Sequence, residues 1–83
     1  MFKVTVFVTL KESVLDPQGA AVKDSLHALN YDEVKDVRIG KYMELEIDAP
    51  NEEVARERVT EMCEKLLANT VIEDYRFEFI TVG

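Results

Sequence analysis

The side chains able to do chemistry are few, and their spacing suits none of the usual reactions. The 83 residues hold one histidine, one cysteine and no tryptophan. No GxGxxG and no Walker-type loop occurs, so the familiar phosphate cradles and metal-ligand spacings are missing. His27 and Cys63 are the one combination that could act as base and thiol nucleophile. Helical spacing puts them in the middle of separate helices, with Cys63 bordering an apolar stripe, which reads as a buried, inert thiol. His27, between Leu26 and Ala28, reads as a surface or boundary histidine. Glu73 and Asp74 are adjacent, so on a strand they point to opposite faces and cannot work as an acid–base pair. Arg38 and Arg76 are better placed: each should project from a polar sheet face, where a guanidinium grips a partner's carboxylate in bidentate fashion or forms an ordinary internal salt bridge. Lys11, Arg38 and Lys41 lie beside turns or on that wet face in an otherwise acidic chain, a pattern that fits contact with a partner.

The elements that must carry these residues centre on 34–47, VKDVRIGKYMELEI. Val37, Ile39, Met43, Leu45 and Ile47 fall on odd positions, the period of a sheet with one buried face. Lys41 interrupts that row just after Gly40. A three-residue loop at 40–42 pairs Ile39 with Met43 and Val37 with Leu45, so register favours a hairpin, with one long strand bent at Gly40 as the alternative. Upstream, Phe2, Val4, Val6, Val8 and Leu10 alternate with polar residues as a first strand, and Phe7 places an aromatic ring on its polar face, either as an exposed ring or as a contact with another subunit. Asp16 and Pro17 predict an N-cap and first helical position. The helix they open carries Val22, Leu26 and Leu29 on one stripe, and Asn30 can close it. A second helix, capped by Asp48 or Asn51, carries Ala55, Val59, Met62 and Leu66, widened by Cys63 and Leu67. Tyr75, Phe77 and Phe79 mark a terminal strand. VKDVRI at 34–39 echoes IEDYRF at 72–77, which suggests two similar halves and a single α+β domain spanning 1–83. The expected architecture is a two-layer, ferredoxin-like βαββαβ sandwich, an antiparallel sheet with two helices on one face, oligomerising through the sheet.

Composition bounds the function. A net charge of −7, from ten Lys and Arg against seventeen Asp and Glu, and a pI near 4.6 argue against nucleic acid and anionic membranes. No apolar run reaches the length of a membrane span, and MFKVTVFVTL reads as a strand rather than a leader. A single cysteine cannot form an intrachain disulfide, which points to the cytoplasm. With 47% of the residues hydrophobic and a chain this short burying only about 60–65% of its unfolded surface, self-association or docking on a larger protein follows.

The stretches KESVLDPQGAAV, VRIGKYMEL and CEKLLANTVIEDY, in this order and spacing, resemble the PurS family, the small subunit of phosphoribosylformylglycinamidine (FGAM) synthase. The resemblance covers Phe2 to Phe79, and only the tail RFEFITVG departs from it, leaving the last strand's pairing open. It implies a non-catalytic dimer or dimer of dimers that bridges a glutaminase subunit and a large synthetase subunit and assists ammonia transfer. The chain would hold no cofactor, with ATP and Mg used by the synthetase subunit. It also implies partner-interface roles for Lys11, Asp16, Gln18, Gly19, Arg38, Lys41, Asn69 and Glu73. The competing reading from fold analogy is a small-molecule-binding regulatory domain with a dimeric ferredoxin-like fold. A self-contained enzyme would need His27 or Cys63 to act.

Overall fold

A computed structural model describes residues 1–80 and runs β1 (Phe2–Leu10), α1 (Pro17–Ala28), β2 (Gly40–Ile47), α2 (Glu52–Met62, prolonged by a π turn at Cys63–Leu67) and β3 (Glu73–Ile80). The three strands form one antiparallel sheet in the order β2-β1-β3. The open pairing of the tail is thereby settled through Ile80, which lies opposite Lys3 of β1; residues 81–83 lie outside the described residues. Alternation along β1 sends Val4, Val6 and Val8 into the core, each no more than 1% exposed. Burying each valine is worth about 1.5–3 kcal/mol, so the central strand supplies much of the apolar drive. Ala55, Val59 and Cys63 of α2 close over them, and Tyr75, Phe77 and Phe79 of β3 pack alongside.

Both caps form as the residue types demand. Asp16 Oδ1 accepts the Gly19 N–H at 2.9 Å, with Pro17 opening α1. Asn51, not Asp48, caps α2, its Oδ1 accepting the Val54 N–H at 2.9 Å, and Glu52 and Glu53 sit in the first turn, where the helix dipole favours acids. Asn30 ends α1 in the left-handed region at φ 72°.

Two expectations are corrected. The hairpin across 34–47 does not form: the strand begins at Gly40, and 34–39 is irregular, so the sheet has three strands and the order is βαβαβ rather than βαββαβ. The backbone of 34–39 is spent on α1 instead. The Val34 carbonyl accepts from His27 Nε2 at 2.8 Å, the Ile39 N–H donates to Asp16 Oδ2 at 2.8 Å, and the Val37 carbonyl lies where a Cβ on Gly19 would stand. For the same reason Arg38 does not project from a strand face. The second correction concerns the stripe of α2: Leu66 is 83% exposed while Leu67 is half-buried. In the π turn the Ala68 N–H reaches back five residues to the Cys63 carbonyl at 3.0 Å. That lowers the rotation per residue below the α-helical 100°, so Leu67 swings onto the Ala55–Val59–Cys63 line and Leu66 falls off it.

The α+β reading and the antiparallel sheet hold, but only α2 lies packed on the sheet. Helix α1 leans on 34–39, with Gly19 its sole buried residue. The described chain measures 51 × 31 × 13 Å with a radius of gyration of 16.3 Å, against about 12 Å for a compact domain of this length.

Candidate partner-binding end of the sheet

Antiparallel pairing brings the C-terminal end of β1 beside the starts of β2 and β3: Thr9 lies opposite Gly40 and Leu10 opposite Glu73. All eight candidate residues are therefore drawn to one end of the sheet from four separate stretches of sequence. A cleft of about 210 Å³ opens there, with Asp16, Gln18, Ile39, Lys41 and Glu73 in its wall.

The eight residues do different work. Asp16, Gly19 and Arg38 form a latch. The buried Asp16 carboxylate ties the start of α1 to Ile39 through its two oxygens. The Gly19 and Ile39 N–H groups, with the nearby Arg38 charge, hold its pKa below the ordinary carboxylate value against the opposing effect of burial. Arg38 spends its fork inside the chain: Nη1 donates to the Val14 carbonyl and Nη2 to the Glu12 carbonyl, both at 2.8 Å, while Nε lies 3.7 Å from Asp36. Gly19 is required because any side chain would strike the Val37 carbonyl.

Asn69 and Glu73 build the turn into β3. The Asn69 carbonyl accepts the Ile72 and Glu73 N–H groups at 3.0 and 2.7 Å, and Glu73 Oε1 returns to accept the Asn69 N–H at 2.7 Å. Lys41 Nζ reaches within 3.9 Å of the other Glu73 oxygen. With the lysine end largely exposed, such a pair contributes about 0–1 kcal/mol, leaving the ammonium available to a stronger partner. Lys11 is held by its backbone, donating to the Ile72 carbonyl and accepting from Val14 N–H, both at 2.9 Å. Gln18 and Lys41 are exposed and Lys11 half-buried, so these three present polar side chains at this end of the sheet.

His27 and Cys63 are not brought into a reactive pair. His27 is committed to the Val34 carbonyl, and Cys63 is buried in the core, where loss of solvent and the nearby Glu64 raise its thiol pKa. Glu73 and Asp74 do face opposite ways: Glu73 lines the cleft just described, Asp74 one on the helix-free face.

That second cleft, about 420 Å³, holds residues the sequence reading did not join. Tyr42 meets Phe7 edge-on at 5.5 Å between ring centroids, and the Arg76 guanidinium lies 4.0 Å from the Phe7 ring centroid. The three sit side by side across the strands, with Lys41 and Asp74 beside them. A strand order of β2-β1-β3 would have exposed this row, but no short-range pattern specifies which strand is central.

A family model described as PurS, phosphoribosylformylglycinamidine (FGAM) synthase, matches residues 3–81. The phosphoribosylformylglycinamidine synthase subunit PurS of Bacillus subtilis is 65% identical over 78 residues, covering 94% of this chain and 92% of that one. The solved C2 crystal form of Bacillus subtilis PurS superposes with a TM-score of 0.83 at 63% identity, covering 98% of this chain and all of the other. A chain of the PurLQS structure from Thermotoga maritima superposes with a TM-score of 0.88 at 37% identity, covering 95% of this chain and 96% of that one.

Proposed function

The chain belongs to the PurS family of FGAM synthase subunits, and from that premise we propose that it is the non-catalytic small subunit of a multi-subunit FGAM synthase in de novo purine biosynthesis. The complex converts formylglycinamide ribonucleotide, glutamine, ATP and water to FGAM, glutamate, ADP and phosphate. The small subunit bridges the glutaminase and synthetase subunits in the cytoplasm, associates with itself, and assists ammonia on its way between them. ATP and Mg belong to the synthetase subunit. Among the described residues, no helix is long and apolar enough to cross a membrane.

The observation that carries this reading is the full-length likeness to PurS chains, one of them within the PurLQS structure. The local chemistry is consistent with it. The charged candidates at the sheet end are arranged to fix turns and present polar atoms, while the thiol and the imidazole are both occupied structurally. The test is amidine formation by the reconstituted glutaminase and synthetase subunits, with and without this chain. Glutamine-driven turnover is expected to depend on it, while turnover with an ammonium salt persists in its absence. Equal glutamine-driven rates either way would overturn the proposal.

A further inference from the structure

The face of the sheet turned away from the helices carries one row unlike the rest. Phe7 lies opposite Tyr42 on one side and Arg76 on the other. The acid two residues beyond each flank shares its face, as strand geometry requires. Tyr42 Oη donates to Glu44 Oε1 at 2.9 Å, and Arg76 Nη1 donates to Glu78 Oε1 at 2.9 Å. Because Tyr42 also meets Phe7 edge-on and the Arg76 guanidinium lies over the Phe7 ring, both outer side chains are braced from two directions. Such bracing removes rotamer entropy that binding would otherwise cost.

The braced groups still face outward: Tyr42 is 60% exposed and the Arg76 side chain 65%. Among the described residues only Nη1 of the Arg76 guanidinium has an acceptor, so its remaining N–H donors are open, whereas the Arg38 fork is consumed by the carbonyls of Val14 and Glu12. A cross-strand aromatic pair and a cation–π contact stabilise a sheet by themselves. An outward guanidinium with open donors beside an outward phenol ring exceeds that need, and Tyr and Arg are the residue types that dominate the energetics of protein interfaces. The cleft in front of them, about 420 Å³, spreads openly across the strands, a shape that suits a protein surface better than a small molecule, which a pocket encloses on most sides.

We infer that the Tyr42–Phe7–Arg76 row is the anchor on which a larger subunit of the complex docks, seating a carboxylate on the open edge of the Arg76 guanidinium and apolar surface against the Tyr42 ring. The charge pattern selects a different chain over a second copy. This face also holds Glu44, Glu46, Asp74 and Glu78, so two copies laid face to face would set four carboxylates against four in chains of net charge −7 each. The inference rests on the bridging role in the proposed function but assigns the surface and the side chains that accomplish it.

Binding of the full chain to the glutaminase and synthetase subunits, each immobilised separately, tests it. Arg76→Ala and Tyr42→Ala are each expected to raise the dissociation constant for one of the two at least about tenfold. Arg76→Lys keeps the charge but loses the planar fork and should lose nearly as much. The far-ultraviolet circular dichroism and the light-scattering mass of the isolated variants should match those of the unaltered chain, and Tyr42→Ala alone decides should loss of the Arg76 stack loosen the sheet. Unchanged affinity for both subunits overturns the docking row while leaving the bridging role standing. A fall in the mass of the isolated variants overturns it too, by giving this face to contact between copies. An unaltered chain that binds neither subunit removes the bridging role itself.

Discussion

At the residue scale, the candidates divide by whether their polar atoms are already committed. Asp16 illustrates the committed kind. Its pKa is lowered in the folded chain, so its stabilising effect is fully present above the unfolded carboxylate range and is lost as pH falls through the lowered folded value. Acidification should therefore loosen α1 from 34–39 before the sheet opens, seen as hydrogen exchange at the Gly19 and Ile39 amides. Asp16→Asn should flatten that pH dependence; if it leaves the dependence intact, another group is responsible. Gly19→Ala meets a backbone carbonyl rather than a yielding side chain. It should cost about 1–3 kcal/mol, measured by chemical denaturation.

At the element scale, the π turn decides which leucine belongs to the core. Leu67→Ala should destabilise the protomer by about 1–3 kcal/mol in dilute solution, since it removes partly buried apolar surface. Leu66→Ala should stay within about 0.5 kcal/mol under the same conditions, as an exposed position does. Denaturant midpoints of the two variants separate these outcomes, and equal losses would mean the helix ends as an ordinary α-turn. The irregular 34–39 stretch is the other element-level decision. Its alternation suits a strand, yet its N–H and C=O groups satisfy α1, and a backbone group can be spent only once.

At the scale of the whole molecule, the protomer is a sheet covered by one helix, with a polar end drawn from four stretches of sequence and a second helix held apart. Partner contact through the sheet end predicts that Lys41→Glu weakens co-purification with the glutaminase and synthetase subunits. Loss of the weak Glu73 pair should leave the circular dichroism of the isolated chain unchanged. Wild-type recovery of both subunits with Lys41→Glu would move the contact elsewhere. The helix-free face, with Phe7, Tyr42 and Arg76 in one row, remains continuous with that end through Lys41.

Local pattern was enough to place β1, β3, both helices and the Asp16 cap, and to narrow the cap of α2 to Asp48 or Asn51. Alternation, helical spacing and the Asp16–Pro17 cap act over a few residues and outlast any change of tertiary setting. It was enough, too, to mark the eight candidates, through a resemblance whose motifs lie along the chain. What local pattern could not decide were matters of competition over distance. These are whether 34–39 bonds to a strand or to α1, whether Leu66 or Leu67 turns inward, and whether the Arg38 fork is offered to a partner or consumed by the carbonyls of Val14 and Glu12. Each is a contest for one limited set of hydrogen-bonding groups or one strip of apolar surface, and only the assembled fold brings the contestants together.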